Sequence, residues 1–256
     1  MQADLLIHSA GQVITVASPG GPKRGAAMSE LGIITDGAVA VRDGRIMAVG
    51  PSDELRRQVN ASQSLSAGGN LVLPGFVDPH THLVWAGERS AEFEMRVGGA
   101  TYMDIMAAGG GIMSTVRQTR AASLDELVSQ TRPRLARMLA HGTTTIEIKS
   151  GYGLDTYHEL KQLEAIRRLQ ADTPATLVTT FLGAHAVPAD YRGHEDAYVD
   201  LVVDEMLPAV AALERRPAFC DVFCEEGAFS VEQSRRVLEA ARARGLGVKI
   251  HVDEFR

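Results

Sequence analysis

After residue 71 the chain alternates short apolar runs with longer amphipathic stretches. Runs rich in β-branched and other apolar residues predict strands at 143–149, 175–182, 218–224 and 247–251. Stretches with apolar side chains at intervals of three and four predict helices at 123–142, 160–169, 197–213 and 231–244, and a short helix is expected at 102–108. Strand followed by helix, repeated in this way, predicts a parallel sheet that is either doubly wound or closed into a barrel.

The apolar run at residues 71–77 leads into two histidines. The run is rich in Leu, Val and Phe and is interrupted by Pro74-Gly75, which predicts a buried strand behind a tight turn. Side chains alternate between the two faces of a strand, so His80 and His82 are expected to point the same way. Two imidazoles on one face can bind one metal ion, although two loop histidines without a ligand would show the same pattern. Their position directly after Asp78-Pro79 favours the metal.

Residues 1–70 show a different pattern, in which short strand-like runs are joined by glycine-rich turns. A hairpin is predicted where the runs at 37–44 and 45–50 meet at Asp43-Gly44, since Asp-Gly is typical of a two-residue hairpin turn. This part contains no cluster of catalytic residue types. We therefore predict a small β-sandwich-like domain at residues 1–70 and a larger α/β domain at 71–256.

Polar side chains lie at or just past the carboxyl end of every predicted strand of the larger domain. They are His80, His82, Lys149, His185, Glu225 and His251. In a (β/α)₈ TIM barrel these ends meet at one site, whereas in an open sheet they would lie along an edge. Convergence on one site explains the pattern better. The barrel is therefore favoured, although the chain provides only five such strands.

The composition excludes several classes of protein. With 45% hydrophobic residues among 256, the chain can bury a sizeable core. A net charge of −6 argues against a phosphate-binding surface, and so against nucleic acid as a partner. The N-terminus lacks the basic segment of a secretory signal, and no apolar run approaches the ~18 residues of a membrane span. Two cysteines cannot form a disulfide framework, so a cytoplasmic protein is expected.

Six motifs are spread along nearly the whole chain. They are Leu73-Pro-Gly-Phe-Val-Asp-Pro-His-Thr-His82, Glu92-Phe-Glu-Met-Arg96, Ala108-Gly-Gly-Gly-Ile112, Glu147-Ile-Lys-Ser-Gly-Tyr-Gly-Leu154, Phe181-Leu-Gly-Ala-His185 and His251-Val-Asp-Glu254. Together they resemble the imidazolonepropionases, a family of the metal-dependent amidohydrolase superfamily. The first motif marks only the superfamily, whereas Phe93-Glu-Met-Arg96 and Lys149-Ser-Gly-Tyr-Gly-Leu154 are far more specific and decide the family.

The resemblance implies an enzyme that hydrolyses the cyclic amide C–N bond of 4-imidazolone-5-propanoate to N-formimidoyl-L-glutamate in histidine degradation. Matched by motif, His80, His82 and His251 would bind one divalent or trivalent metal ion, with an Asp from the last barrel strand as the fourth ligand. Zn or Fe would suit such ligands. Glu254 would be the catalytic residue that moves the proton of water to the leaving nitrogen, and it would also bind substrate. Taken alone, Glu254 would be a solvated acid and His251 an ordinary strand-end histidine.

The resemblance also places the substrate against Arg89, Tyr152 and His185. A propionate tail needs a cationic partner, and arginine offers a bidentate one. Glycines on both sides of Tyr152 suggest a loop shaped to bring its ring into a site. Without the resemblance, a surface charge at Arg89 and a turn aromatic at Tyr152 would be equally good interpretations.

Other candidate residues have alternative interpretations. Gly109-Gly-Gly111 could hold a phosphate, but it lacks the Gly-Lys-Ser/Thr ending of a P-loop. Lys149 could be a carbamylated metal bridge, as in some amidohydrolases, but we reject this because it ends the second barrel strand and not the fourth. Glu225 ends the fourth strand and could contact the metal ligands without binding the metal itself. Structural or solvated roles are expected for His8, His141, His158 and His194.

A barrel of this type takes ~250 residues, which residues 71–256 do not reach. We expect the last three βα units and the Asp ligand to lie in a longer chain, and the present chain alone to be inactive. A related nucleobase or guanine-type deaminase and a non-catalytic fragment of the fold are the alternative hypotheses. A substrate panel tests the first, and metal analysis tests the second. The oligomeric state is left open, a homodimer included.

Overall fold

The computed structural model describes residues 1–18, 20–101, 104–105 and 108–254. The chain divides into two compact units, Met1–Gly75 and Phe76–Arg256. The sequence pattern predicts a domain boundary at residue 70. That the two units are separate domains stays a prediction. The short helix predicted at 102–108 lies partly outside the described residues.

The first unit is a five-stranded sheet, with one α-helix among its described residues. The elements are β1 (Gln2–Ile14), a 3₁₀ helix (Gly25–Ser29), β2 (Ile33–Arg42), β3 (Arg45–Pro51), α1 (Ser52–Gln58), β4 (Asn60–Ser66) and β5 (Leu71–Val72). The strand order is β3-β2-β1-β4, and β5 also pairs with β1. The predicted hairpin is confirmed, because β2 and β3 are antiparallel and Asp43 and Gly44 between them have φ of 51° and 69°. A two-residue type I′ turn requires such positive values.

The second unit contains a five-stranded sheet in the order β10-β9-β8-β7-β6. Its strands are β6 (Phe76–Thr81), β7 (Thr143–Lys149), β8 (Thr176–Ala184), β9 (Phe219–Val222) and β10 (Gly247–Val248). Every neighbouring pair is parallel. Neighbours in sequence are also neighbours in the sheet, without the reversal of order that defines a doubly wound sheet. This order favours the barrel over the open sheet.

Helices follow the first four strands of this sheet, as in repeated βα units. They are α2 (Ser90–Val97), α3 (Ile112–Ala121), α4 (Leu124–Ala140), α5 (Thr156–Ala171), α6 (Glu195–Leu201), α7 (Leu207–Ala211) and α8 (Val231–Ala243). A 3₁₀ helix at Ala189–Tyr191 precedes α6, and a π-helical turn at Val202–Met206 joins α6 to α7.

The hydrophobic core of the second unit is formed by strands β7 to β9 and the helices that pack on them. Fully buried members of this core are Leu127, Ile146, Ile166, Phe181, Val199, Val222 and Val237. Full burial of one such side chain is worth about 1.5–3 kcal/mol. Across the described residues, no helix combines the length and apolar character needed to cross a membrane.

The prediction of a single buried strand at residues 71–77 is wrong. Leu71–Val72 is strand β5 of the first unit, and Phe76–Thr81 is strand β6 of the second. Pro74 lies between them and has no N–H to donate to a ladder, so the run is interrupted there. Phe76 and Val77 are also 55% and 64% exposed, so this end of the strand is not buried.

The helix predicted from residue 123 is observed as α4, and Ser123 begins it with a capping box. Its hydroxyl accepts from the N–H of Glu126 (3.2 Å), and the Glu126 carboxylate accepts from the N–H of Ser123 (2.8 Å). Ser123→Ala should lower the free energy of unfolding by about 1 kcal/mol, because an N-terminal amide loses its acceptor. Urea unfolding measures this. Ser129→Ala, at an exposed position of the same helix, is the control, and an equal loss there would contradict the capping role.

Arg134 ties the segment after β6 to α4. Its guanidinium carbon lies 3.5 Å from the centroid of the Trp85 ring, the geometry of a cation–π contact. Its Nη1 donates to the carbonyls of Leu83 (3.1 Å) and Trp85 (2.7 Å). Burial lowers the pKa of Arg134. These contacts hold the chain between His82 and Arg89, two of the predicted site residues.

Candidate functional site

The three histidines predicted as metal ligands lie together at the carboxyl ends of the strands. His80 is in β6, His82 follows directly after it, and His251 pairs with Phe223 beyond the ends of β10 and β9. One ring nitrogen of each histidine lies within 4.8 Å of the other two. The ring centroids are 4.3 Å apart for His80 and His251 and 5.6 Å apart for His80 and His82. A cluster of this size could hold a metal ion.

The surroundings of this cluster favour neutral imidazoles. Burial, together with the neighbouring His185 and His251, lowers the pKa of His82 to about 2. Burial and His251 also lower the pKa of His80. Metals bind the neutral form, so both rings are in the ligating state at neutral pH. His82 Nδ1 is buried without a hydrogen-bond partner among the described residues, an arrangement that costs free energy. The donor set therefore fits a metal ion.

Asp221 contacts the third histidine from behind. It lies in β9, is 1% exposed, and its Oδ2 is 2.9 Å from His251 Nδ1. The two atoms are at ion-pair distance but lack the alignment of a hydrogen bond, so that nitrogen has no hydrogen-bond partner in the described part of the chain. Burial opposes ionisation of Asp221, but the contacts with His251 and Lys149 outweigh it and lower the pKa to about 2. A carboxylate in this position orients a metal-binding histidine.

Asp221 belongs to a buried ionic cluster centred on Lys149. The Nζ of Lys149 lies 2.7 Å from Glu147 Oε1 and 2.8 Å from Asp221 Oδ2, and the lysine is 1% exposed. The Glu147 carboxylate also binds the Thr180 hydroxyl and the Nζ of Lys249. The cluster thus joins β7, β8, β9 and the end of β10. Two carboxylates thus hold the ammonium of Lys149, and the rejection of a carbamylated metal bridge stays a prediction.

The loop after β7 brings Tyr152 to the same place. Its ring centroid lies 5.6 Å from that of His82 and 5.4 Å from that of His185. His185 follows β8 and stacks on His82 at 4.7 Å, while its Nδ1 lies 2.8 Å from the Gly151 carbonyl oxygen. A carbonyl only accepts, so Nδ1 carries the proton and Nε2 is left as an acceptor. Burial lowers the pKa of His185 to about 4, which keeps this ring neutral.

Arg89 lies just before α2 and is held by Glu92. The Nε and Nη2 of Arg89 donate to Glu92 Oε2 at 2.8 and 2.7 Å. Glu92 Oε1 accepts from the N–H of Gly111 at 3.0 Å. The hydrogen bond from Arg89, above all, lowers the pKa of the Glu92 carboxyl. Glu92 thus fixes both Arg89, the candidate partner of the substrate carboxylate, and the glycine-rich loop that contains Gly111.

The three clustered histidines, Arg89, Tyr152 and His185 line one cavity of about 1320 Å³. Its lining includes every residue that the sequence places in the site: His80, His82, Arg89, Tyr152, His185, His251 and Glu254. Glu254 is exposed, and its N–H donates to Glu225 Oε2 at 3.1 Å. Glu225 therefore lies behind the candidate catalytic residue. The roles of these residues stay predictions.

Sequence reasoning missed three buried acids of the site, Asp221, Glu92 and Glu159. Asp221 interrupts the apolar strand Phe219–Val222, and an acid within a buried strand indicates a charged partner. Glu92 occurs in one of the family motifs, but its sequence position does not indicate a role. Glu159 is fully buried on α5, where its spacing does not distinguish it from a solvated acid.

The fold resembles that of two solved deaminases. A 5-methylcytosine deaminase from Klebsiella pneumoniae has a TM-score of 0.63 at 15% identity, over 97% of this chain and 52% of that one. An adenosine deaminase from Xanthomonas campestris with bound zinc has a TM-score of 0.56 at 18% identity, over 98% of this chain and 49% of that one. Identities this low show the fold alone. They confirm the predicted amidohydrolase-type barrel fold, to which the described residues contribute five parallel strands.

The sequence is similar to imidazolonepropionases along almost all of its length. A family model described as an imidazolonepropionase-like composite domain of bacteria matches residues 37–58. The imidazolonepropionase of Chloroflexus aggregans is 57% identical over 98% of this chain and 61% of that protein, and that of Herpetosiphon aurantiacus is 56% identical over 99% and 60%. The chain thus spans about three fifths of the length of these relatives. The resemblance predicted from the motifs is confirmed, and this chain is a relative of the imidazolonepropionases.

Proposed function

We propose that the protein containing this chain hydrolyses the cyclic amide C–N bond of 4-imidazolone-5-propanoate to N-formimidoyl-L-glutamate, a step of histidine degradation in the cytoplasm. One observation carries the proposal. A single cavity wall combines three clustered imidazoles with Arg89, a cation suited to the propionate tail. The imidazolonepropionases that are 56% and 57% identical to this chain support it. A nucleobase deaminase would need no carboxylate clamp.

His80, His82 and His251 would hold the metal ion of this reaction. Imidazole ligands suit both Zn and Fe, and zinc is bound in the similar adenosine deaminase, so a divalent metal is favoured. When bound, the metal would supply a nucleophile from water near neutral pH and polarise the amide carbonyl. Asp221 would orient His251 through the contact with its Nδ1.

Side chains of this chain would bind the substrate and move the proton. Arg89 would bind the propionate, and Tyr152 and His185 would contact the ring, whose N–H suits the acceptor Nε2 of His185. Water adds to the carbonyl carbon and the C–N bond breaks. Glu254 would take the proton from the water and deliver it to the leaving nitrogen.

Arg89→Ala should raise the KM for imidazolonepropanoate by about tenfold to a hundredfold, with a smaller change in kcat. The reason is that the substrate carboxylate loses a bidentate, charge-assisted partner. Steady-state kinetics measure both constants. Arg137→Ala, at an exposed position of α4, is the control and should leave both unchanged. A wild-type KM in Arg89→Ala would remove this residue from the carboxylate site.

A substrate panel on the metal-loaded protein tests the proposed function as a whole. Imidazolonepropanoate should be consumed and formimidoyl-glutamate formed, whereas guanine and cytosine should release no ammonia. Ammonia from the nucleobases, without turnover of imidazolonepropanoate, would replace the proposal by a deaminase. A protein that takes up no metal when it is supplied, and that has neither activity, would favour the non-catalytic alternative.

A further inference from the structure

The loop that carries Tyr152 is held by one buried carboxylate. Glu159, in the first turn of α5, is 0% exposed. Its Oε1 accepts from the N–H groups of Gly153 and Leu154, both at 2.8 Å, and its Oε2 accepts from the N–H of Gly151 at 3.0 Å. Such bonds offset the cost of taking a carboxylate out of water. A carboxylate with three amide donors is built to hold the backbone around it.

The loop needs such support because its backbone is strained. Leu154 has a φ of 55°, in the left-handed region that leucine rarely occupies, and Gly151 has a φ of +105°, which glycine adopts readily but other residues do not. A Cβ at position 153 would overlap the backbone of Glu159, and one at 151 would overlap the ring of His185. Strained segments persist only where their surroundings determine them, and they are common at functional sites.

The same hydrogen bonds extend to the cavity. The N–H of Gly151 binds Glu159, while the carbonyl of Gly151 accepts from His185 at 2.8 Å. The N–H of Tyr152 binds Gln162 Oε1 at 3.0 Å, so all four amides of residues 151–154 donate to side chains of α5. Tyr152 and His185 are both in the cavity wall, 5.4 Å apart. A shift of the loop would therefore move two candidate substrate contacts together.

We infer that Glu159 is a positioning residue, which sets the places of Tyr152 and His185 through the loop at 151–154. This inference rests on the proposed function, because it requires a substrate that both rings contact. A buried acid with a merely structural role would change stability alone. A positioning residue would change how well the substrate binds while the metal content stays the same.

Glu159→Gln tests the inference in the intact, metal-loaded protein. Glutamine keeps the shape of the side chain, but its amide nitrogen cannot accept, so at least one of the three loop amides loses its partner. We expect kcat/KM for imidazolonepropanoate to fall about tenfold to a hundredfold, mostly through KM, at unchanged metal content. Amide hydrogen exchange at residues 151–154 should become faster in the same variant.

Glu164→Gln is the matched control, because this glutamate lies on the same helix and pairs with Arg167 and Arg168. It should change neither KM nor the exchange of the loop. Wild-type kinetics in Glu159→Gln, beside an active wild-type protein, would overturn the inference and leave the proposed function standing. A wild-type protein without activity on imidazolonepropanoate would overturn both.

A second variant is needed if Glu159→Gln does not fold, which a lack of cooperative unfolding would reveal. Glu159→Asp keeps the charge, but its shorter side chain cannot reach all three amides, so the same rise in KM and faster exchange are expected. Unchanged KM in a folded Glu159→Asp protein with faster exchange at residues 151–154 would overturn the inference.

Discussion

Replacing His82 by alanine should remove the bound metal and lower activity by more than about a hundredfold. Mutation of a residue that only hydrogen-bonds to a metal ligand already costs up to about a hundredfold, and loss of the ligand itself should cost more. Each of the three clustered histidines offers one nitrogen within 4.8 Å of the others, so the variant would keep only two of these ligands. With its pKa near 2, His82 is neutral and ready to bind metal over the whole ordinary pH range. Metal analysis of the purified protein and steady-state kinetics measure the two effects.

His141→Ala is the matched control for this variant. Its ring is exposed at the end of α4, so the variant should keep both metal and activity. Full metal content and full activity in His82→Ala would exclude His82 as a ligand. Full metal content with lost activity would instead place this ring against the substrate.

Lys149→Met should lower the free energy of unfolding by about 3–5 kcal/mol, the range for breaking a buried ion pair by removal of one partner. The lysine is 1% exposed and lies within 2.8 Å of carboxylate oxygens of both Glu147 and Asp221. Methionine fills a similar volume but leaves two acids buried without this cation. Urea unfolding of the variant and of the wild-type protein measures the difference.

Arg167→Met serves as the control, because Arg167 also pairs with a glutamate but is 53% exposed. Exposed ion pairs contribute little, so its unfolding midpoint should stay at the wild-type value. Equal stability of Lys149→Met and the wild-type protein would contradict a stabilising role for this buried cation.

Several elements of the second unit could be predicted from the sequence because they have a strong local signal, whereas the helices α2 and α3 were not predicted and the strand predicted at 247–251 is observed only at Gly247–Val248. Ser123 marks the start of α4 by its capping box, and the β-branched run at 143–149 is observed as β7 with the predicted bounds. The run at 71–77 could not be divided correctly, since apolar content does not tell which sheet a strand joins. Only the pairing partners separate Leu71–Val72 from Phe76–Thr81.

The positions of the candidate site residues could be predicted from strand ends for His80 and His82 and from the family resemblance for His251 and Arg89. All four side chains line one cavity, while their roles stay predictions. The residues that hold them were not predictable, because Asp221 acts through contacts with positions far along the chain and Glu159 acts through the particular fold of a neighbouring loop. Asp221 meets Lys149 and His251, and Glu159 meets a loop whose shape depends on positive φ values.

The contact of Arg134 with Trp85 has a practical consequence for spectroscopy. Trp85 is the sole tryptophan of the 256 residues, so the indole emission of this chain comes from one place. That place is the segment between His82 and Arg89, with a guanidinium 3.5 Å from the ring centroid. A rearrangement of this segment would alter the contact. The emission of Trp85 therefore reports on the stretch of chain that joins two candidate site residues.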